Sequence, residues 1–274
     1  VGPGHVLFDL ISSQTLPTTV LTRIFRQAQE SMVVVNAHRI NQGQFPKPSP
    51  LAPPQADFFW VEQEDAHRVQ ELIVYMVCER IPLIYGLDPV REVQVLTPMH
   101  KGVVGTQELN VRLQERLNPS GREVRSGKHV FRVGDRVLQT RNNYDKEVFN
   151  GDLGWVKAYD QEAEELVVDF EEERVRYARS ELDELTLAYC ISVHKSQGSE
   201  YPAVIVPVVT QHYLLLQRNL IYTALTRAKR LAVLIGSRKA LGMGINTVTG
   251  SKRCTHLRYR LEQRAGRPRE GPQT

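Results

Sequence analysis

The chain of 274 residues contains no apolar run that approaches the roughly 20 residues needed to cross a bilayer. It also opens without the basic and apolar segments of a signal peptide. Cysteine is scarce, and Cys78, Cys190 and Cys254 lie far apart in no metal-ligand spacing, which is typical of a protein from a reducing compartment. These absences lead us to expect a cytoplasmic protein with no membrane contact and no metal ligands of its own.

A phosphate-binding loop of the Walker A type is also missing from the sequence. The glycine-rich stretch "GMGINTVTGSK" (242–252) has Gly-Ser-Lys where that loop requires Gly-Lys followed by Ser or Thr. The stretch "LVVDFEEE" (166–173) ends in acidic residues, but it lies in a turn-rich region, which favours a hairpin strand over a magnesium-binding acid. Because the chain begins "VGPGHVLFDLI" without Met, we expect it to be a piece of a longer protein.

The composition is that of a globular protein, with 41% apolar and 24% charged residues. Its net charge of +4 is unevenly placed, because residues 251–274 alone carry seven Lys or Arg side chains against two Glu, a net of +5. A basic tail of this kind often contacts phosphates. A solvated tail that contributes only to solubility would have the same composition, so both interpretations stay open.

The apolar pattern predicts an α/β fold with a mostly parallel sheet. The strand "DFFWVEQ", the helix "DAHRVQELIVYMVCERIPLIYG", the strand "EVQVLTP" and the helix "TQELNVRLQERLN" follow one another, and α/β elements resume from residue 185. Between them, short alternating runs separated by turns predict a small antiparallel barrel of SH3-like size. The predicted division is 1–117 and 185–250 for one α/β domain, 118–184 for the barrel and 251–274 for the basic tail.

Polar residues follow the second predicted strand in "VLTPMHKGVVG" (95–105). Thr97, His100 and Lys101 emerge at its carboxyl end, the edge at which open α/β sheets bind ligands. Backbone N–H groups at the start of the next helix, together with Lys101, are candidates for holding phosphates. A turn with incidental polar residues is the alternative.

A second polar run interrupts two apolar stretches in "SVHKSQGSEYP" (192–202). His194, Lys195 and Ser196 supply donors, Gly198 permits a sharp turn or a close approach to a ligand, and Glu200 could accept a hydrogen bond from a ribose hydroxyl. Taken alone, a His-Lys pair is more often part of a solvated turn.

Two arginines occupy predicted helices. Arg227 lies at the carboxyl end of "NLIYTALTRA", from which a guanidinium can reach a phosphate across a cleft, although it could equally cap the helix carbonyls. Arg26 lies one turn from Arg23 in "LTRIFRQAQES", where a surface charge pair is the alternative.

Taken together and in this order, these segments closely resemble the carboxyl-terminal half of RecD-type helicases of superfamily 1. The segments that carry the resemblance are "LTRIFRQAQESMVVVNAHRIN", "VQVLTPMHKGVVG", "VFNGDLG", "SVHKSQGSEYPAVIVP" and "IYTALTRAKRLAVLIG", within roughly residues 1–240. The likeness is greatest to the bacterial RecD-like enzymes that act without RecB and RecC. It implies two RecA-like motor domains with ATP between them, of which this chain would be the second. The first, with the Walker sequences, would lie upstream.

The resemblance also implies roles for individual residues. Arg26 and Arg227 match arginines that contact the γ-phosphate, as arginine fingers do, with Gln27, Gly198 and Glu200 near the nucleotide. Magnesium would accompany ATP, with its ligands in the upstream domain. The residues expected to contact DNA are Thr97, His100, Lys101, Ser192, His194, Lys195 and Ser196, together with Arg141, Asn142, Asn143 and Tyr144 in the barrel, where Tyr144 could stack on a base.

The implied function is that of an ATP-dependent DNA helicase moving 5′ to 3′ on single-stranded DNA and at duplex junctions, acting as a monomer in repair or recombination. This chain alone is expected to hydrolyse no ATP. A non-catalytic single-strand-binding module, which gives Arg227 no role, and a relaxase–helicase fusion are the alternatives.

Overall fold

A computed structural model describes residues 6–19, 31–127, 129–170, 173–248 and 256–265. The chain divides into two compact units, one comprising Arg26–Val248 and the other Val1–Phe25 with Thr249–Thr274. The elements, in chain order, are α1 (Val6–Ser13), α2 (Met32–Asn41), β1 (Phe58–Glu62), α3 (Ala66–Tyr75), α4 (Ile81–Tyr85), β2 (Val93–Thr97), α5 (Thr106–Leu117), β3 (Glu123–Ser126), β4 (His129–Arg132), β5 (Arg136–Gln139), β6 (Leu153–Asp160), β7 (Glu165–Phe170), β8 (Arg174–Ala178), β9 (Leu185–Leu187), β10 (Cys190–Ser192), β11 (Tyr201–Val208), α6 (Arg218–Leu225), β12 (Ala228–Gly236), α7 (Arg238–Asn246) and α8 (Leu257–Arg264).

The larger unit contains a five-stranded sheet in the order β1-β12-β11-β2-β10, with every neighbouring pair parallel. Its central strands are apolar at almost every position because both of their faces are covered by helices. Alternate residues point to opposite faces: Val233 and Ile235 belong to the core beneath α3 to α5, whereas Ala232 and Leu234 belong to the core beneath α2, α6 and α7. The predicted α/β fold with a parallel sheet is confirmed.

The helix predicted over 66–85 is divided by a π-helical turn at Met76–Arg80, between α3 and α4. Pro82 explains the division, because it has no N–H and its ring clashes with the carbonyl four residues earlier in a regular α-helix. Widening the turn, with the N–H of Ile81 donating to the Met76 carbonyl, accommodates the proline. One apolar stripe of the divided helix faces the core, since Val69, Ile73 and Ile81 are fully buried.

An antiparallel module interrupts the parallel sheet. Strands β8-β7-β6-β5-β9 form one five-stranded antiparallel sheet, and β3 and β4 form a hairpin. Its own core includes the fully buried Phe131, Val137 and Tyr177. The acidic stretch at 166–173 contributes β7, which pairs with β6 and β8, so its expected place in a hairpin is confirmed. The antiparallel strands run from Glu123 to Leu187, whereas the borders predicted at 118 and 184 stay predictions.

Asp135, in the turn before β5, connects the module to the parallel sheet domain. Its buried carboxylate accepts hydrogen bonds from the side chains of Gln114 (2.5 Å) and Asn118 (2.7 Å) in and just after α5, and from the hydroxyl of Tyr189 (2.9 Å) just before β10. Burial raises the pKa of Asp135, and these donors partly oppose that shift. The module is thereby fixed to the two elements, α5 and β10, that adjoin the predicted DNA-contacting segments.

The smaller unit is helical where it is described. In it, α1 packs against α8, which forms within the stretch "THLRYRLEQR" that the sequence predicts to have one or two helical turns. Residues 266–274 lie outside the described part. No helix in the described ranges has the length and apolar character to cross a bilayer.

Candidate functional site

The polar segment 193–200 connects opposite edges of the parallel sheet. It leaves β10 at Ser192, which pairs with Thr97 at the carboxyl end of β2, and it enters β11 at Tyr201, beside the first residue of β12. Tyr201 lies two residues before Ala203, which pairs with Val93, whereas Ser192 pairs with Thr97. Along the strand direction, the two ends of the segment are therefore about six residues, or about 20 Å, apart. The predicted site residues therefore fall into two groups, one at each edge of the sheet.

The carboxyl-edge group adjoins a cavity of about 880 Å³ between α5, β10 and the antiparallel module. The side chains of His100 and Lys101 are exposed there, and Nδ1 of His100 lies 3.1 Å from the hydroxyl of Thr106 at the start of α5. Lys195 is half-buried, and this burial lowers the pKa of its amine. The cavity is lined by, among others, His100, Lys101, Gln107, Asn110, Arg132, Thr140, Asp183, Thr186, Ser192 and Lys195.

Three hydroxyl groups predicted to grip phosphates have intramolecular partners. Thr97 is fully buried and donates to the carbonyl of Val104 at 2.8 Å, and the buried Ser196 donates to the carbonyl of Val193 at 2.7 Å. The hydroxyl of Ser192 accepts from the backbone N–H of Lys195 at 3.4 Å. In this structure these hydroxyls shape the two turns, while their contact with phosphates stays a prediction.

Three backbone N–H groups at the start of α5, which the sequence suggests as phosphate donors, have partners within the chain, and their contact with phosphates stays a prediction. The N–H groups of Gly105, Thr106 and Gln107 donate to the carbonyls of Gly102 (2.9 Å), Met99 (3.0 Å) and His100 (3.1 Å). The loop folds back on the start of α5 and uses the donors that would otherwise be available to an anion. The side chains of His100 and Lys101 are exposed and remain available to a phosphate.

The amino-edge group is centred on Arg227, which follows α6. Its guanidinium donates from Nη1 to the carbonyl of Ser199 at 3.1 Å and from Nε to the carbonyl of Thr223 at 3.3 Å. The bond to Thr223 caps the helix, as one interpretation of Arg227 expects. The bond to Ser199 connects Arg227 to the polar segment, where the other interpretation places a ligand. Half-buried as it is, the guanidinium remains partly accessible to a ligand.

Two further predicted residues flank Ser199, whose carbonyl accepts from Arg227. Gly198 has φ +89, a backbone conformation that favours glycine, and nothing lies within 4 Å of the position a Cβ would take. Glu200 is exposed and pairs with Lys229, its Oε2 lying 3.3 Å from Nζ. The remaining members of the nucleotide group, Arg26 and Gln27, lie outside the described residues together with their neighbour Arg23.

The loop between β5 and β6 carries the residues predicted in the barrel. Arg141 is exposed and forms an ion pair with Asp183, and Asn143 donates to the carboxylate of Glu184 at 3.2 Å. The amide of Asn142 donates to the hydroxyl of Tyr144 at 3.2 Å. The contacts of Arg141 and Asn143 therefore hold the loop against the turn before β9.

Tyr144 is 74% exposed and stands edge-on to Phe149, with ring centroids 6.0 Å apart and an interplanar angle of 74°. Phe149 is itself 45% exposed. Two exposed aromatic rings at the tip of one loop form a surface on which bases can stack. Sequence reasoning missed Phe149, although it lies in the quoted motif "VFNGDLG".

The described residues contain no group of three or more His, Cys, Asp or Glu side chains able to hold a metal ion. The expectation that the Mg²⁺ ligands lie in an upstream domain stays a prediction.

Two families match the chain. Residues 109–170 match the family described as ATP-dependent RecD-like DNA helicase SH3 domain, and residues 187–235 match the UvrD-like helicase C-terminal domain. The first match covers much of the antiparallel module. The second runs from the end of β9 into β12 and includes Arg227 and the whole segment 193–200.

Curated proteins are similar over most of the chain. The ATP-dependent RecD2 DNA helicase of Deinococcus radiodurans is 38% identical over 221 residues, which cover 80% of this chain and 29% of that protein. The RecBCD enzyme subunit RecD of Mycolicibacterium smegmatis is 28% identical over 208 residues, which cover 74% of this chain and 36% of that protein. The chain thus spans about a third of the length of these relatives.

A solved structure is similar in fold. The crystal structure of Pif1 helicase from Bacteroides in complex with ADP-AlF3 and ssDNA superposes with a TM-score of 0.50 at 16% identity, covering 90% of this chain and 56% of that chain. At this identity the likeness concerns the fold alone, and it agrees with the parallel sheet interrupted by an antiparallel module.

Proposed function

We propose, for a chain that belongs to the RecD-like family of helicases, that it is the second motor domain of an ATP-dependent DNA helicase. The whole protein would move 5′ to 3′ along single-stranded DNA and act at duplex junctions as a monomer. The first motor domain, with the Walker sequences and the Mg²⁺ ligands, would precede this chain.

The observation that carries the proposal is the course of segment 193–200. One end of this segment lies with His100 and Lys101 at the carboxyl edge of the sheet, and the other contacts Arg227 at the amino edge. A short segment that contacts both groups can transmit a change at one edge to the other. A motor that converts nucleotide state into movement on a strand requires a connection of this kind.

At the amino edge, Arg227 and Arg26 would contact the terminal phosphate, with Gln27, Gly198 and Glu200 nearby. When bound, ATP supplies the free energy of the step through hydrolysis of its terminal phosphate. A guanidinium suits this position because it presents several fixed donors to the charge that develops on phosphate oxygens. Glu200 would accept from a ribose hydroxyl, and Lys229 would hold its carboxylate in place.

At the carboxyl edge, His100, Lys101 and Lys195 would contact backbone phosphates of the single strand along the cavity wall. His194, exposed in the turn after β10, would extend this contact. Tyr144, with its neighbour Phe149, would stack on bases, while Arg141, Asn142 and Asn143 would hold or extend that contact. Phosphate contacts and stacking are largely independent of sequence, which suits a motor that moves along any strand.

A non-catalytic single-strand-binding module is the second candidate. The hydrogen bond of Arg227 to the carbonyl of Thr223 favours it, because a purely capping arginine would make this contact. This candidate predicts DNA binding without nucleotide turnover.

ATP hydrolysis by the full-length protein, with and without single-stranded DNA, separates the two candidates. We expect hydrolysis that the DNA strongly stimulates, together with unwinding of a duplex that carries a 5′ single-stranded tail. A duplex with a 3′ tail is the matched control and should remain double-stranded. DNA binding without any hydrolysis would contradict the motor and support the binding module.

The isolated chain provides a further test. We expect it to bind a labelled single-stranded oligonucleotide without ATP and to hydrolyse no ATP. Measurable turnover by the purified chain would contradict the assignment of the Walker sequences to an upstream domain.

A further inference from the structure

Arg136, in β5 of the antiparallel module, is a buried arginine. The residue is 2% exposed. Its Nη1 donates only to backbone carbonyls, those of Val90 (3.1 Å) and Val93 (3.4 Å). Among the described residues its Nε has no hydrogen-bond partner, and the carboxylate of Asp88 acts on it electrostatically without a direct ion pair. A buried charge without a directly bonded countercharge is costly, so an apolar side chain of similar size would suit this position better for stability alone.

The guanidinium of Arg136 contacts the start of β11. It lies over the ring of Tyr201, 5.5 Å from the ring centroid, within the range of a cation–π interaction. Tyr201 is 4% exposed, so the contact is shielded from water.

Tyr201 in turn holds the amino-edge group. Its backbone N–H donates to the carbonyl of Arg227 at 2.8 Å, and it directly follows Glu200 and the segment whose Ser199 accepts from the Arg227 guanidinium. A side chain from the antiparallel module therefore reaches the backbone of Arg227 through a single intervening residue.

We propose that Arg136 is a positioning residue through which the antiparallel module, when it engages single-stranded DNA, sets the placement of Arg227. The inference rests on the proposed function and adds to it the route by which DNA binding stimulates hydrolysis. Because Arg136 also donates to the carbonyls of Val90 and Val93 at the start of β2, it connects β5 to the amino edge of the sheet, and a displacement of β5 would shift Tyr201 and Arg227 there. Arg136 itself touches neither DNA nor nucleotide.

Arg136→Met in the full-length protein tests the proposal. Methionine has a similar length without the charge, so the variant should fold at least as well as the wild type. We expect unchanged affinity for single-stranded DNA and unchanged hydrolysis without DNA, but stimulation by DNA about ten-fold lower, as the loss of a typical coupling free energy implies. Tyr201→Leu, which removes the other side of the contact, should lower stimulation equally, and the double variant should lose no more than either single variant.

The matched control is Arg122→Met, because Arg122 lies over the ring of Tyr159 at 5.4 Å entirely within the module. Its stimulation by DNA should equal that of the wild type. A wild type that DNA does not stimulate would overturn the proposed function, whereas a stimulated wild type matched by Arg136→Met and Tyr201→Leu would overturn only this inference. Loss of DNA affinity, or failure of both variants to fold, would assign Arg136 a binding or purely structural role and would also overturn it.

Discussion

The guanidinium of Arg227 donates to the carbonyl oxygen of Ser199 at 3.1 Å, which joins the end of α6 to the polar segment before β11. A guanidinium in this position cannot form its full set of contacts with a phosphate while it keeps both backbone acceptors. Movement of Arg227 onto a phosphate would therefore release Ser199 and with it the segment that leads to the opposite edge of the sheet. The hydrogen bond thus relates the two proposed ligand sites to each other.

Replacing Arg227 by Ala in the full-length protein should lower DNA-stimulated ATP turnover by about two orders of magnitude or more, as loss of an arginine finger does. Affinity for single-stranded DNA should stay unchanged because Arg227 lies at the amino edge. Arg230→Ala is the matched control, since Arg230 is an exposed arginine three residues further along β12. Equal turnover in the wild type and Arg227→Ala would mean that Arg227 only caps its helix.

Lys101→Ala and Lys195→Ala should each weaken binding to a single-stranded oligonucleotide, because both remove a cation from the cavity wall. If each lysine neutralises one phosphate, the slope of log affinity against log salt should become shallower by about 0.7 per substitution. Fluorescence anisotropy over a series of salt concentrations measures both quantities. Lys239→Ala, an exposed lysine on α7, should change neither, and a slope unaltered in Lys101→Ala would remove this residue from the DNA path.

Tyr144→Ala should lower the affinity for single-stranded DNA by about ten-fold, since stacking of a base on an aromatic ring contributes about 1–3 kcal/mol. Tyr144→Phe should retain the affinity because the ring suffices for stacking. Tyr75→Ala, which removes a 44% exposed tyrosine from α3, serves as the control. Comparable losses in Tyr144→Ala and Tyr144→Phe would instead assign the contact to the hydroxyl that accepts from Asn142.

The architecture was predictable because its strands have a simple pattern. The continuous apolar runs of β11 and β12 indicate strands buried on both faces, and the helices between them imply parallel connections. The resemblance assigned the polar residues after β2 and after β10 to the same DNA strand, and in the structure Ser192 pairs with Thr97. The parallel pairing of β2 and β10 thus brings together their carboxyl ends and the polar residues that follow them.

What the sequence did not predict depends on packing between distant segments. Nothing in the residue pattern indicates that the hydroxyl of Thr97 would point at the Val104 carbonyl rather than at solvent. Arg132 and Thr186 line the cavity only because the module folds against α5 and β10, and they lie in no recognisable motif. Arg136 was missed for a similar reason, since an arginine in an amphipathic strand is expected to be exposed.

His212 makes stability depend on pH. It is 2% exposed, its Nδ1 has no hydrogen-bond partner among the described residues, and burial lowers the pKa of its ring from 6.5 to about 4. Between these values the unfolded chain binds a proton that the folded chain does not, so the free energy of unfolding falls as pH falls through this window. The loss due to this residue is up to about 1.4 kcal/mol per pH unit.

Urea denaturation at pH 7 and pH 5 measures this dependence. His212→Leu removes the titrating group. Between pH 7 and pH 5, the free energy of unfolding should therefore decrease by about 1–2 kcal/mol less in this variant than in the wild type. Identical pH dependence in the two proteins would show that His212 is protonated in the folded state.

Gly105→Ala tests the loop that carries His100 and Lys101. Gly105 has ordinary backbone angles, but a Cβ there would lie 2.5 Å from the carbonyl oxygen of Lys101 and 2.7 Å from that of His100. Since neither carbonyl is the end of a flexible side chain, the loop must shift, and the free energy of unfolding should drop by about 1–3 kcal/mol. The same shift moves both basic side chains, so affinity for single-stranded DNA should fall as well.

Gly86→Ala separates these two effects. Gly86 ends α4 with φ +65 and has nothing within 4 Å of a Cβ position, so alanine there is strained without displacing any neighbour. It should cost about 1–2 kcal/mol of stability and leave DNA affinity unchanged. If both variants lose stability but only Gly105→Ala loses affinity, the loop after β2 contacts DNA. Unchanged affinity in a destabilised Gly105→Ala would place the DNA elsewhere, because the two basic residues cannot keep their positions around an added methyl group.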